Sequence, residues 1–191
     1  MSHSVCPFCS VARLGETLLE ETSGFRVVAD TAPLTQGHLL LIPTEHYSCL
    51  GALPRAHLSA FHDSKDKIGR FLQQHYGAPF YFEHGIAGQT VPHAHLHAVP
   101  GRVTLLDSIS RGRYTLAVDS WEQVQGFYRT VGEYLYFEQD GGGWVISGGA
   151  VPPGFITGLA AAQLRPLHRS GLDPEVAPAA EIARRWKDFD R

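Results

Sequence analysis

The patterning of the chain predicts an α+β fold, an antiparallel β-sheet with one long helix packed over it. Three observations lead there. Short β-favouring runs, TLLEET, FRVVAD and HLLLIP, follow one another with turn residues between them: Ser23-Gly24 after the first, APLTQG before the third. An apolar stripe of helical period, Leu58, Phe61, Ile68, Phe71 and Leu72, extends from about Leu58 to His75 and stops at Gly77. A further strand, PFYFEH, then leads through a glycine-spaced loop, GIAGQ, into QTVPHAHLHAVP.

After Pro100 the style of the chain changes. A helix is expected around SWEQVQGFYRTVG, then a strand, EYLYFEQ, a turn, DGGG, and a short strand, WVIS. Helical patterns follow in PGFITGLAAAQL and PEVAPAAEIARRWKDF. No internal repeat or low-complexity linker is visible. The glycines of DGGGWVISGG read as hairpin turns, and no GK[ST] follows them, which excludes a Walker-type phosphate loop. The expected organisation is a first domain over 1–105 and an α/β extension over 106–191, packed on the core or at a dimer interface.

Bulk properties narrow the function. The composition, 43% apolar and 18% charged, is that of an ordinary globular protein. A net charge of −3 argues against sequence-independent binding to nucleic acid, which needs a basic face. No apolar run reaches membrane-spanning length, and MSHSVCPFCSVARLG lacks the basic start and long apolar core of a signal peptide. A cytoplasmic location is therefore expected. In a reducing compartment three cysteines make no disulfide framework. Cys6 and Cys9 form a C-x-x-C, which reads as half of a metal site or as a redox pair. A redox pair would follow a strand, and none precedes this one, so a metal is preferred if two more ligands exist.

Three of the eleven histidines, His93, His95 and His97, fall within five residues. Read as a strand, HAHLHAVP sends these three side chains one way and Ala94, Leu96 and Ala98 the other. The apolar side would pack on the core and the imidazoles would line a cleft. The outer pair would have Cα atoms roughly 13 Å apart on a straight strand, too far to share one cation easily. A catalytic zinc held by all three is therefore disfavoured, and at least one imidazole is left for other chemistry. With an ordinary pKa of about 6.5, a neutral imidazole is a candidate nucleophile. Flanking imidazoles that can protonate favour an anion. Attack on phosphorus by one of them would give a phosphoramidate and split one displacement into two easier steps.

QTVPHAHLHAVP resembles the signature of the histidine-triad (HIT) superfamily. Upstream, VVADTAPLTQGHLLLIPTEH resembles the acidic-turn, glycine/histidine and I-P-x-x-H segment of that family, with matching spacing from Asp30 to His38 and His46. CPFC resembles the opening of its zinc-containing members. The resemblance spans residues 6 to about 100. It implies a HIT-like fold in which His95 takes up a nucleoside monophosphoryl group and His97 hydrogen-bonds phosphate oxygens. It also implies a closed structural zinc site of Cys6, Cys9, His46 and His93, and a homodimer. Cys49 matches nothing in the family and reads as a small buried residue.

Asp30 falls where relatives bind ribose hydroxyls, and a carboxylate suits a diol. Phe8 is a candidate for lining the base pocket or for plain packing. Gln89 and Thr90 lie where relatives contact phosphate, and read equally as turn residues. Many relatives have Asn-x-Gly where this chain has Glu83-His84-Gly85. That departure makes Glu83 and His84 either a polar pair serving the site or the end of a strand. Arg102, Arg111 and Arg113 are candidates for reaching an anionic substrate or partner, or are simply solvated.

The leading expectation is a nucleotide hydrolase that cleaves a nucleoside monophosphate from its conjugate through nucleotidyl-His95. A nucleotidyltransferase or phosphorylase with the same intermediate is the alternative. The uridylyl transferases carry glutamine in place of the third histidine, and His97 leans the reading toward hydrolysis. A non-catalytic nucleotide-binding scaffold and a zinc hydrolase with an open metal position are the other classes.

Overall fold

The computed structural model describes residues 6–164 and 179–189. In chain order the main elements are α1 (Val11–Leu14), β1 (Leu18–Glu21), β2 (Phe25–Ala29), β3 (Leu39–Pro43), α2 (Leu58–His75), β4 (Pro79–Glu83) and β5 (Leu96–Pro100). Then come α3 (Leu106–Ser110), β6 (Thr115–Val118), α4 (Trp121–Val131), β7 (Tyr134–Gln139), β8 (Gly142–Ser147), α5 (Phe155–Leu164) and α6 (Ala179–Phe189). All strands join one eight-stranded sheet in the order β1-β2-β3-β5-β4-β7-β8-β6. Every neighbouring pair is antiparallel. The predicted α+β architecture is what the chain adopts, and the elements after residue 105 extend the same sheet.

β2 and β3 are buried along their whole length, which is why FRVVA and LLLIP are apolar on both sides. Phe25, Val27, Leu39 and Leu41 face α2, whereas Val28, Leu40 and Ile42 face the N-terminal segment with Leu14 and Phe8. α2 has the bounds its stripe predicts, and all five stripe residues are buried. Gly77, at φ +109°, closes it by placing its N–H on the carbonyl of Leu72 at 2.8 Å. Trp121, Val124 and Phe127 of α4, with Ile182 and Trp186 of α6, share the core of α2. The other face of β4, β5, β7 and β8 is covered by α3 and α5, through Ile109, Ile156, Ala160 and Leu164.

The β7–β8 hairpin turns at Asp140 and Gly141, whose φ values of +54° and +79° define the tight turn that DGGG predicts. β6 and α3 have no counterpart in the sequence reading. β6 is a four-residue edge strand with two exposed positions, too short and too mixed for a periodic signal. The expected C-terminal helix is α6, and the part of PEVAPAAEIARRWKDF before Ala179 lies outside the described residues. Among the described residues no helix is long and apolar enough to cross a membrane.

One boundary needs correction. HAHLHAVP is expected to be strand throughout, but the ladder begins at Leu96, opposite Leu41. The next donor on β3 would be Pro43, which has no N–H. Its carbonyl accepts from the His93 ring at 3.0 Å instead. The alternation survives beyond the ladder: Ala94, Leu96 and Ala98 all lie in the core under α2.

Trp121 joins the two halves, its ring 4.6 Å from Phe61 and 4.7 Å from Tyr136 between centroids. Trp121→Ala is expected to cost about 3–5 kcal/mol. In urea denaturation this should lower the midpoint of one transition in which residues before and after 105 unfold together.

Candidate functional site

The histidine face of the sheet lies between two covers, the N-terminal segment over β1–β3 and the α3/α5 layer over β4–β8. Four side chains converge at the N-terminal cover. One ligand atom from each of Cys6, Cys9, His46 and His93 lies within 4.8 Å of the others. The sulfur of Cys6 is 3.4 Å from His93 Nδ1, and that of Cys9 is 3.3 Å from His46 Nδ1 and 3.5 Å from His93 Nδ1. Bond lengths of about 2.3 Å to sulfur and 2.05 Å to nitrogen imply tetrahedral edges of about 3.6 Å between such atoms, so the spacing suits one cation.

The supporting contacts fit as well. His93 donates from Nε2 to the Pro43 carbonyl, which leaves the Nδ1 lone pair facing the sulfurs. Arg26, pinned by Glu21 at 2.6 Å, holds the Phe8 carbonyl between the two cysteines at 3.0 Å. Burial first, and the Cys6 sulfur second, push the Cys9 thiol up to about 11. The Cys9 thiol therefore keeps its proton at neutral pH unless a cation displaces it.

Asp30, His38 and His97 form a second close group of possible ligands. Their hydrogen bonds tell against a metal. Leu34 N–H donates to His38 Nδ1 at 3.1 Å, so the proton of the neutral ring sits on Nε2. That N–H donates to His97 Nδ1 at 3.0 Å. His97 therefore carries its own proton on Nε2. One backbone amide thus sets two tautomers in series.

His95 is oriented independently. Its Nδ1–H donates to the His93 carbonyl at 2.6 Å, leaving the Nε2 lone pair unshared. The rings of His95 and His97 are 4.9 Å apart, and Phe82, the cross-strand partner of His97, stacks on it at 4.2 Å with planes 8° apart. Burial lowers the pKa of His95; burial and the neighbouring imidazoles hold His97 well below its usual value; burial takes His38 down to about 4. The cluster is neutral. It offers one lone pair beside one N–H donor.

A cleft of about 420 Å³ opens over these two rings. Phe8, Asp30 and Thr90 line it with His95 and His97, and Val28 and Leu40 contribute apolar wall. Phe8 also packs edge-on against both His93 and His95, at 5.9 and 5.2 Å. Asp30 is fixed by accepting the Ala32 N–H at 2.8 Å, with its other oxygen 3.5 Å from His38 Nε2.

Three of the expected residues are not brought to the cleft. Gln89 donates its amide to the Ser48 carbonyl at 2.7 Å. Glu83 is fully buried, accepting from Leu50 N–H at 2.7 Å and from the Tyr134 hydroxyl. His84 is buried and accepts the Ile156 N–H at 3.0 Å. Arg102 pairs with Asp140, and Arg113 donates to the Ile109 and Gly148 carbonyls. Sequence reasoning assigned no role to His38, Arg13 or Phe82. His38 stood in the quoted spacing, and Phe82 sits at the position opposite His97. Arg13, which lines the cleft, carried no signal beyond its charge.

Residues 14–104 match the family model described as HIT domain. Among curated proteins the chain is similar to adenylylsulfatase HINT3 of Arabidopsis thaliana, with 32% identity over 123 residues, 60% of this chain and 62% of that one. It thus spans about three-fifths of that relative's length. Among solved structures it is similar to a zinc-bound histidine triad family protein from Mycobacterium smegmatis, at 29% identity, 53% and 78% coverage of this chain and that one, and TM-score 0.45. A histidine triad protein from Clostridium difficile is similar at 24% identity, 55% and 96% coverage, and TM-score 0.45.

Glu83 supplies a prediction. Burial pushes its carboxyl from about 4.5 up to about 8, against the pull of its two hydrogen bonds. An acid raised on folding favours the native state fully below its ordinary value and loses that contribution as pH rises through the folded value. Buried neutral histidines act with the opposite sign, below about pH 7. The thermal midpoint of the wild type should therefore fall between about pH 7 and 8.5, and Glu83→Gln should flatten that fall.

Proposed function

We propose that the chain, whose residues 14–104 match the family model described as HIT domain, hydrolyses nucleotide conjugates, releasing a nucleoside monophosphate through a covalent nucleotidyl-His95 intermediate. One observation carries the reading. The Nδ1–H of His95 is committed to the His93 carbonyl, so its Nε2 lone pair is available beside the N–H of His97.

In the first step Nε2 of His95 attacks phosphorus, the bond from phosphorus to the leaving group breaks, and that group departs with the electron pair and takes up a proton. The positive charge that develops on the ring is met by the His93 carbonyl, 2.6 Å from Nδ1. Water then attacks phosphorus, the phosphorus–nitrogen bond breaks, its electron pair returns to Nε2, and the monophosphate leaves with release of a proton. His97 donates from Nε2 to a phosphoryl oxygen in both steps. Asp30 accepts from the ribose hydroxyls, the apolar stretch with Phe8 and Val28 takes the base, and Thr90 flanks the phosphate. Cys6, Cys9, His46 and His93 would hold a structural zinc, which would supply a cross-link between the N-terminal segment and the chain leading into β5.

The curated relative is named an adenylylsulfatase, which makes adenosine 5′-phosphosulfate the first conjugate to offer. Two experiments test the reading. His95→Ala should lower turnover on the order of 10³-fold or more, and protein quenched during turnover should carry a nucleotidyl mass on the peptide containing His95. If wild type and variant are equally inert while both bind nucleotide, a binding scaffold replaces the enzyme; if added phosphate becomes part of the product, a phosphorylase does. Elemental analysis should find one zinc per chain, lost in Cys9→Ser, and chelation should lower the unfolding temperature before it lowers the rate.

A further inference from the structure

The sheet has two edges, and the chain treats them differently. β1 closes one side and carries Glu20 and Glu21. Glu20 accepts from Lys67 at 2.7 Å and from the Trp186 indole at 2.9 Å, which fastens α6 beside that edge, and Glu21 pairs with Arg26. β6 closes the other side as TLAV, with no charged residue, and among the described residues no strand lies beyond it. An edge without charges or a cover is a template for another strand. Exposed apolar side chains gather beside it: Tyr114 and Leu116 are 65% and 41% accessible, and Val131 of α4 is 44%. Tyr114 stacks on Phe127 at 6.0 Å between centroids, and Val131 follows Phe127 by one turn on the same side of α4.

The backbone of β6 specifies what can pair with it. Ser147 N–H donates to the Tyr114 carbonyl at 2.8 Å, and Tyr114 N–H donates to the Ser147 hydroxyl at 3.1 Å. Tyr114 therefore turns its backbone toward β8, and by alternation so do Leu116 and Val118, opposite Val145 and Gly143. Thr115 and Ala117 turn theirs to the open side. The outward amides flanking them are engaged: Arg113 N–H donates to the Ser110 carbonyl at 2.9 Å, and Asp119 N–H to the Gln123 side chain at 3.1 Å. Two copies of β6, antiparallel with Leu116 opposite Leu116, satisfy one another. Thr115 of each then faces Ala117 of the other, and all four N–H groups meet carbonyls. A register two residues away sets Ala117 opposite Arg113, or Thr115 opposite Asp119, whose N–H groups are taken. The Leu116 register also sets Arg113 of each copy opposite Asp119 of the other, so opposite charges face across the pair.

The fold itself contains the covered form of this edge. β3, α2, β4 and β5 follow one another in the chain, as do β6, α4, β7 and β8, and β6 holds in the second set the place of β3 in the first. The outer side of β3 is filled along its whole length by the antiparallel β2. We propose that a second copy of this chain fills the outer side of β6, strand against strand about a two-fold axis at Leu116, so that one sheet runs through both copies. The Leu116 side chains meet on the axis, and Tyr114 of each copy lies beside Val118 of the other, on the face that carries α4. The histidine cleft lies on the other face, beside β2 and β3 at the far end of the strand order, and pairing leaves it open.

Sedimentation velocity of the full chain across a dilution series should show a dimer that dissociates on dilution. Ala117→Pro removes an outward donor from each copy without touching the β8 ladder. It should raise the dimer dissociation constant about tenfold or more at an unchanged thermal midpoint. Leu116→Cys, treated with oxidised glutathione, should form a chain-to-chain disulfide, because facing residues of such a pair have Cα atoms about 4.5 Å apart. Asp63→Cys, exposed on α2, should form none. A wild type that is monomeric at every concentration overturns the proposal. So does a dimer that Ala117→Pro leaves equally tight and in which no peptide linked 116 to 116 is found, since its contact lies elsewhere. Should Ala117→Pro lower the thermal midpoint, the linked peptide decides: its presence supports the β6 contact and its absence overturns it.

Discussion

The imidazole of His93 is held at both ends, by the Pro43 carbonyl through Nε2–H and by the two cysteine sulfurs facing Nδ1. The residues around it lie outside the ladder, because β5 begins only at Leu96, and their backbone is tied by single bonds such as that from Ala94 N–H to the Tyr47 carbonyl. The ring therefore shares with that bond the part that interstrand hydrogen bonds play further along. With the Ala94 N–H, which donates to the Tyr47 carbonyl at 2.8 Å, it fixes where the His93 carbonyl of the same peptide points, and that carbonyl in turn fixes which nitrogen of His95 bears the proton. A slip of one residue here would send His95 into the core and Ala94 into the cleft.

The rest of the site follows from burying several imidazoles without ionising them. His93, His95 and His97 are at most 8% exposed, and burial lowers the pKa of each. A cluster of imidazolium ions in that volume would repel itself; a cluster of neutral rings leaves every nitrogen either a donor or an acceptor. The Leu34 amide determines the choice for His38 and then for His97. Phe82 keeps the plane of His97 in place by stacking. In the hydrolysis proposed above, preorganised dipoles of this kind would need no reorientation as charge develops on the phosphoryl group, which is their advantage over mobile surface cations.

Much of this was legible because the signals were periodic. The side-chain alternation from His93 to Ala98 follows from strand geometry and persists where the ladder does not. The bounds of α2 were readable from its stripe and Gly77. What lay out of reach depended on contacts distant in sequence. The end of the β5 ladder depends on a proline fifty positions away. Glu83 reads equally as a site residue or a strand end until Leu50 and Tyr134 are seen to engage both its oxygens. His84 shares that ambiguity, and the Ile156 amide resolves its environment. Gln89 satisfies the Ser48 carbonyl across a turn, a contact with no sequence pattern. The partners of the C-x-x-C came from the family resemblance, since nothing local links Cys6 to His46.

Two units, β3-α2-β4-β5 and β6-α4-β7-β8, follow the same order in the chain and lie reflected about the β4–β7 pair in the sheet, yet only the first carries the histidines. Each has a strand, a helix on the same face and a pair of antiparallel strands, and each contributes apolar residues to the common core. Where Asp140 and Gly141 close the hairpin, the strands are joined by the shortest connection that antiparallel pairing allows, and no room remains for a ligand. Where residues 84–95 intervene, the connection can carry a metal ligand and an orientated imidazole before it enters its strand. Such a long loop is held from both sides: the Ser48 and Tyr47 carbonyls accept from Gln89 and Ala94 within its own unit, and the Tyr134 and Gly154 amides donate to the Gly85 and Gly88 carbonyls from beyond it. The unit without histidines therefore helps to hold the backbone of the unit that has them.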